Sequence, residues 1–135
     1  MALRYLLDTN IVSDLIRHPH GTVAERIALV GEDTVCISIV VAAELRFGAA
    51  KSGSQKLEQR VDLILSALEI LPLETPTDHH YGEIRQQLAR QGIPIGPNDL
   101  FIAAHARSLR LTVVTANSRE FSRVPGIAVE NWLAK

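Results

Sequence analysis

The chain has 135 residues, of which 47% are hydrophobic and 21% charged, and its net charge at pH 7 is −1. This composition is ordinary for a globular protein and excludes a disordered chain, a fibrous repeat or a strongly basic tail. We expect a single domain over residues 1–135, because a chain of this length can bury one hydrophobic core.

The N-terminal apolar run in MALRYLLDTN is interrupted by Asp8. The run is too short for a signal peptide or a membrane span, so we expect a cytoplasmic protein that does not associate with membranes. Cys36 is the one cysteine of the chain, which excludes an internal disulfide and fits a reducing compartment. Its apolar neighbours in VCIS predict a small buried side chain.

Short apolar runs alternate with helical patterns along the chain. The predicted strands are RYLLD, TVCIS, EILPL, LTVVT and GIAVENW. The predicted helices lie at Asn10 to Ile16, Thr22 to Val30, Ile39 to Lys51, Ser54 to Leu68, Thr77 to Arg90 and Asn98 to Arg110. Strands separated by helices predict an α/β fold, a three-layer sandwich with a central parallel sheet of four to five strands and helices on both faces.

The stretch PIGPNDLFIAAHARSLRL places an acidic residue at the start of an apolar helix. Asn98 is the predicted N-cap, so Asp99 falls in the first turn. The residues that follow leave almost no polar face, which predicts a helix buried on most sides. Asp99 is then either a simple partner of the helix dipole or a partly buried functional carboxylate.

Three acidic residues are expected at one edge of the sheet. Asp8 ends the first strand, Glu44 follows the second strand by about two helical turns if Ser38 caps that helix, and Asp99 begins the helix that leads to the fourth strand. The fourth strand is followed by Asn117 and Glu120. Helix N-termini and strand C-termini share this edge of a parallel sheet, where ligand sites form.

Carboxylates gathered at one place raise each other's pKa values unless a cation neutralises them. All-oxygen ligands favour Mg²⁺ or Mn²⁺ rather than zinc. The histidines have no spacing typical of a zinc site, and we expect each of them at the surface or in packing; they are His18, His20, His79, His80 and His105.

Each acid also has an ordinary structural interpretation. Asp8 could cap the first helix, and Glu44 could pair with Arg46 or Arg107 in the interior. Glu120 could be a solvated helix residue in SREF. Asn10, Ser38 and Thr115 could position ligands or water, or serve as turn and capping residues alone; the joint arrival of the acids at one edge favours the metal site.

Four motifs occur in order along the chain: DTN, AEL, NDLFIAAHA and T-x-N-x-x-x-F. In this order, and over nearly the whole chain, the sequence resembles the PIN-domain ribonucleases and specifically the VapC toxins of bacterial toxin–antitoxin pairs. The resemblance implies that Asp8, Glu44 and Asp99 form an acidic metal-binding triad within a PIN-like sandwich. Asn117 stands where many PIN domains have a fourth acid, and Glu120 is a candidate for replacing that charge.

The resemblance further implies a Mg²⁺-dependent endoribonuclease that forms a homodimer and is blocked by a VapB-type antitoxin. Because the likeness extends to VapC toxins that cut tRNA, we expect cleavage in a tRNA anticodon loop, with the initiator tRNA as the specific candidate. Without the triad the charge of the chain is +2, so the pocket should sit in a mildly basic surface. The candidate RNA contacts are Arg46, Arg85, Arg107 and Arg119.

The segment from Ile39 to Leu68 carries more apolar residues than one face of a small sheet requires, which predicts that some of them bury a partner. The residues concerned are Leu45, Phe47, Leu57, Val61, Ile64, Leu65 and Leu68.

Other functions remain as alternatives. A noncatalytic PIN-like module that binds RNA or protein would agree with Asn117, but not with an intact acidic triad. A phosphatase with an aspartate nucleophile would have a second Asp where Asn10 stands. A dinucleotide-binding enzyme would have a G-x-G-x-x-G motif after a strand, and the sequence has none.

Overall fold

The computed structural model describes residues 2–133. Within this range five strands form one parallel sheet in the order β3-β2-β1-β4-β5. The strands are β1 (Tyr5–Leu7), β2 (Val35–Ser38), β3 (Glu69–Leu71), β4 (Thr112–Val114) and β5 (Val129–Glu130). The chain builds the sheet outward from β1, first to one side and then to the other. The topological switch therefore lies between β1 and β4, where open parallel sheets bind ligands.

Helices connect the successive parallel strands and flank the sheet. They are α1 (Thr9–Arg17), α2 (Thr22–Val30), α3 (Ile39–Ser52), α4 (Gln55–Ala67), α5 (Thr77–Gln91), α6 (Pro97–Leu109) and the short α7 (Ser118–Phe121). A 3₁₀ turn at Glu32–Thr34 leads into β2. The predicted α/β architecture around a central parallel sheet is confirmed.

The core lies around the inner strands β2, β1 and β4. Every residue of β1 and β2 is buried, whereas β3 and β5 at the edges are partly exposed. A parallel strand covered by helices on both faces needs apolar side chains in both directions, which explains the continuous runs YLL and VCIS. Cys36 is buried with a free thiol, as predicted, and burial raises its pKa to about 12.

Three helix starts differ from the sequence prediction. The fourth helix begins at Gln55 rather than Ser54, because Ser54 is its N-cap and accepts a hydrogen bond from the Leu57 N–H. The first helix begins at Thr9 rather than Asn10, because Asp8 adopts the extended cap conformation and accepts a hydrogen bond from the Thr9 N–H. Asn98 is not the cap of α6, and that prediction is wrong: Gly96 occupies the cap and Pro97 the first turn. Proline suits this position because its fixed φ is helical and the N–H it lacks would have no partner there.

Most of the apolar residues from which we expected contacts with a partner pack within this chain instead. Leu45, Val61 and Leu65 are buried in the core, while Leu57, Ile64 and Leu68 pack against it from partly buried positions. Phe47 on α3 is 68% exposed, and Leu63 on α4, which the prediction did not include, is 72% exposed. None of the helices within residues 2–133 has the length and hydrophobicity needed to span a bilayer.

Trp132 anchors the segment that follows β5, and its removal should be costly. Its ring is 2% exposed, packs edge to face on Tyr5 with centroids 5.2 Å apart, and donates from Nε1 to Glu130 at 3.0 Å. We expect Trp132→Ala to lower the free energy of unfolding by about 3–5 kcal/mol. Trp132→Phe, which keeps a packed ring, should lose much less. Urea unfolding followed by circular dichroism measures both, and equal stability of Trp132→Ala and the parent protein would contradict this packing.

Candidate active site

One pocket at the carboxyl edge of the sheet contains the predicted acids. The pocket has a volume of about 360 Å³, and its lining includes Asp8 after β1, Glu44 on α3 and Asp99 on α6. The remaining lining residues are Thr9, Asn10, Ser13, Arg17 and Asn117. The parallel topology brings together side chains that are far apart in sequence, as the positions of the acids predicted.

Asp8 is the buried member of this group. Its Oδ1 accepts a hydrogen bond from the Thr9 N–H and its Oδ2 accepts one from the Thr115 hydroxyl, both at 2.8 Å. Burial raises the pKa of Asp8, the two hydrogen bonds oppose that rise, and the charges of Glu44 and Glu120 add to it. Asp8 therefore serves both as the predicted helix cap and as a carboxylate held toward its acidic neighbours.

Glu44 is placed by the start of α3. The Ser38 hydroxyl oxygen accepts a hydrogen bond from the Val40 N–H at 3.1 Å, which confirms the predicted cap. Glu44 lies on the second turn after this cap, and its Oε1 accepts a hydrogen bond from the Thr9 hydroxyl at 2.8 Å. The suggested interior ion pairs of Glu44 do not occur in the described part of the chain, because the arginines concerned have other partners.

Asp99 experiences the strongest crowding of negative charge. Burial raises the pKa of Asp99 to about 7, with further contributions from the charge of Asp8, a hydrogen bond with Glu120, and the charges of Glu120 and Glu44. A carboxylate that served only the helix dipole would have its charged form stabilised. Asp99 instead lies where its charged form is disfavoured, which is typical of a functional site.

Glu120 lies beside Asp99 rather than in bulk solvent. It is partly buried on α7, and its Oε1 accepts a hydrogen bond from the Gly96 N–H at 3.1 Å, next to the start of α6. Asn117 caps α7 without a side-chain capping bond, and its exposed amide faces the acidic pocket. The two candidates for the fourth polar position therefore lie in different places: Asn117 lines the pocket, whereas Glu120 is not among the lining residues and contacts Asp99.

The donor chemistry of this group fits a hard divalent cation. The side chains offer carboxylate and amide oxygens without sulfur or imidazole, the set that suits Mg²⁺ or Mn²⁺. Three or more acidic, histidine or cysteine side chains do not come together at metal-ligand spacing anywhere in residues 2–133.

His105 joins the two helices that carry Glu44 and Asp99. It is buried in α6, as expected for a packing residue, and its Nδ1 lies 2.9 Å from the Ser38 hydroxyl at the start of α3. Burial lowers the pKa of His105, and a hydrogen bond to the Pro72 backbone opposes this.

The predicted RNA-contacting arginines do not line the acidic pocket. Arg46 pairs with Asp62 at 2.7 Å, and Arg85 donates to the Tyr81 hydroxyl at 2.9 Å. The Arg107 side chain is only 12% exposed and donates to His80 and Glu83 of α5 and to the Pro125 carbonyl, so it ties α6 to its neighbours. Arg119 is exposed on α7.

Sequence reasoning missed Arg17, which does line the pocket. The available signal was its spacing: Asn10, Ser13 and Arg17 recur at three and seven residues, which places them on one face of the helix that begins after Asp8.

The PIN domain family model matches residues 5–127. This chain belongs to the PIN-domain family. It is 41% identical over 130 residues to Ribonuclease VapC2 of Rickettsia felis, covering 95% of this chain and 97% of that protein. It is 43% identical over 133 residues to the tRNA(fMet)-specific endonuclease VapC of Shigella flexneri, covering 96% and 98%.

The fold is also close to a solved member of the family. A chain in the crystal structure of VapBC2 from Rickettsia felis bound to a DNA fragment from their promoter superposes with a TM-score of 0.87 and 39% identity. The match covers 98% of this chain and 99% of that one. The predicted resemblance to VapC-type ribonucleases is confirmed. Nucleases of the PIN-domain family generally use a divalent metal.

The crowding at Asp99 should destabilise the metal-free protein at neutral and alkaline pH. The native state holds a proton on Asp99 up to about pH 7, whereas the unfolded state releases it near pH 3.8. Stability from this group is therefore greatest at low pH and falls as the pH rises through 7. We expect Asp99→Asn to raise the melting temperature by several degrees at pH 8 in EDTA, on the order of 1–2 kcal/mol after solvent screening, and by less at pH 5.

Asp78→Asn is the matched control, because Asp78 also lies in the first turn of a helix, α5, but is exposed and outside the pocket. That variant should lose a little stability from the helix dipole and gain none. Equal effects of the two substitutions in thermal unfolding at pH 8 would contradict the crowding at Asp99.

Proposed function

We propose that this protein is a divalent-metal-dependent endoribonuclease, the toxin of a type II toxin–antitoxin pair, and that it acts in the cytoplasm. The observation that carries the proposal is the convergence of Asp8, Glu44 and Asp99 on one pocket at the topological switch of a PIN-domain fold. The names of its relatives agree, because both are ribonucleases of the VapC type.

In this proposal Asp8, Glu44 and Asp99 hold Mg²⁺ or Mn²⁺, and Asn117 adds a neutral polar contact at the pocket wall. Glu120 supplies an additional acid beside Asp99. The bound ion would stabilise the charge that develops on the phosphate and lower the pKa of a water molecule. Thr9 and Thr115 hold Asp8 and Glu44 in place by hydrogen bonds, so these carboxylates are oriented before substrate arrives.

The reaction is a hydrolysis of the RNA phosphodiester. A carboxylate of the pocket orients water for in-line attack on phosphorus, the bond between phosphorus and the 3′ oxygen breaks, and the leaving 3′ oxygen takes a proton. The water oxygen stays on the phosphate, so the products carry a 5′-phosphate and a 3′-hydroxyl. No serine or cysteine nucleophile is required.

The proposed substrate is a tRNA cut in its anticodon loop, with the initiator tRNA as the specific candidate. The Shigella flexneri relative is named a tRNA(fMet)-specific endonuclease, which supports this choice. The chain itself has few aromatic residues for base stacking, and Tyr5, Phe121 and Trp132 are buried. Recognition should therefore depend on RNA shape and on a few splayed bases.

The proposed partners are a VapB-type antitoxin and a second copy of this chain. The Rickettsia felis structure is a VapBC2 assembly, which supports a protein partner. Phe47 and Leu63 offer exposed apolar surface on α3 and α4 for such contacts.

The acidic triad is tested by single substitutions. We expect Asp8→Asn and Asp99→Asn each to lower the rate of tRNA cleavage by at least ~10²-fold, since each removes a charge that the proposed metal site needs. Asp14→Asn on α1, which lies outside the pocket lining, should cleave like the parent protein. Mass spectrometry of the parent's products should find 5′-phosphate ends. Full activity of both triad variants, or products with 2′,3′-cyclic phosphate ends, would refute the mechanism. If the parent protein bound the tRNA without cleaving it, the noncatalytic RNA-binding module would be favoured.

The proposed homodimer and the proposed complex with antitoxin are tested by measuring molecular mass in solution. We expect light scattering at micromolar concentration to give twice the 14.8 kDa mass of the chain, and a larger complex after addition of the antitoxin. The reason is that Phe47 and Leu63 remain exposed in the isolated chain. A monomeric mass together with no binding of added antitoxin would contradict both proposed partners.

A further inference from the structure

Arg17 is an unusual residue in the acidic pocket. Within residues 2–133 it is the one basic side chain among the pocket-lining residues, which include the carboxylates of Asp8, Glu44 and Asp99. Despite these neighbours, its guanidinium makes no ion pair or hydrogen bond with any described residue. Arg17 therefore does not neutralise the acids, and its five donors are available to a ligand.

Arg17 belongs to a row of donors along one face of α1. Ser13 lies three residues and Arg17 seven residues after Asn10, which puts the three side chains on the same side of the helix. All three residues line the pocket. The Asn10 Oδ1 accepts a hydrogen bond from the Ala116 N–H at 3.2 Å, so the Nδ2 group remains as the donor. The Ser13 hydroxyl, like Arg17, has no partner in the described structure. The three residues form what we call the α1 donor row.

The position of the α1 donor row favours a phosphodiester. The row starts two residues after Asp8, so a chain lying along it passes directly beside the carboxylates. An anionic backbone is repelled by an acidic pocket and needs nearby donors of positive charge to approach it. Arginine is well suited to this role, because its planar fork binds two phosphate oxygens at once.

A second possible ligand is a protein segment, since Ser13 and Arg17 also border a groove between α1, α3 and α4 that is lined by Leu45, Ala49 and Val61. An apolar protein segment could fill that groove. It would leave the hydrogen-bond donors of Asn10, Ser13 and Arg17, which line the pocket of the carboxylates, without a partner. The donor row therefore fits an anionic chain better than an apolar helix.

We propose that Asn10, Ser13 and Arg17 bind the RNA backbone at a phosphodiester next to the one that is cleaved. This inference rests on the proposed ribonuclease function and adds to it the site that positions the substrate. The arginines first selected from the sequence lie elsewhere, and three of them already have partners.

The test measures RNA binding apart from cleavage. Fluorescence anisotropy with a fluorescein-labelled initiator tRNA transcript is recorded for the Asp8→Asn protein in EDTA, from 50 to 200 mM KCl. Adding Arg17→Ala should weaken binding about tenfold at 50 mM KCl. It should also reduce the slope of log K against log salt by about 0.7–0.9, the value for one lost phosphate contact. Arg17→Lys should keep the slope because it keeps the charge.

Arg90→Ala is the matched control. Arg90 also lies exposed in the last turn of a helix, α5, has no ion pair in the described structure and lines no acidic pocket, so it should leave affinity and slope unchanged. In the protein with an intact triad, Arg17→Ala should raise KM for the tRNA more than it lowers kcat.

The outcomes separate the two proposals. If the protein with an intact triad cleaves the tRNA but Arg17→Ala binds and cleaves it as the parent does, the α1 donor row is overturned and the ribonuclease function stands. An equal loss in Arg90→Ala would also overturn the row, since the effect would then be general surface charge. If the intact protein cleaves no RNA and the Asp8→Asn protein binds none, both proposals fail.

Discussion

Repulsion among the carboxylates of Asp8, Glu44 and Asp99 is the constraint on which the site depends. Left alone, three such groups would move apart or take up protons. Thr9 counteracts this from the start of α1, because its N–H donates to Asp8 and its hydroxyl donates to Glu44. Thr115, at the end of β4, holds the other oxygen of Asp8. The two threonines thus hold Asp8 and Glu44 at the sheet edge, and in the function we propose a divalent cation relieves the crowding of charge that remains at Asp99.

The same constraint extends into the packing of the helices. Glu44 and Asp99 lie on different helices, so their separation depends on how α3 and α6 meet. The buried contact between Ser38 and His105 joins the start of α3 to the interior of α6. Because burial lowers the pKa of His105, the neutral form of the ring is favoured and this contact adds little charge near the acids. Arg107 then secures the outer side of α6 to α5.

The fold and the acidic edge could be predicted from sequence because both follow from local patterns. Buried runs such as YLL and VCIS separated by helices predict parallel strands, and parallel strands bring Asp8, Glu44 and Asp99 to one edge. The cap of α6 was predicted wrongly, since the preference of proline for the first turn outweighs that of asparagine for the cap. The partners of Arg107 could not be predicted, because they depend on the packing of α5 against α6.

Arg17 was missed for a different physical reason. An arginine in the last turn of a helix is already explained by the helix dipole, so its identity alone points to no site. What distinguishes Arg17 is its place in the tertiary structure. It lines the pocket in which the carboxylates lie, and its guanidinium has no partner in the described chain. An ion pair with Glu44 would relieve repulsion and stabilise the fold, but it would also occupy the donors and the carboxylate together. In the function we propose, the absence of this ion pair leaves the carboxylates available to a divalent cation and the guanidinium available to the phosphate anion of the RNA.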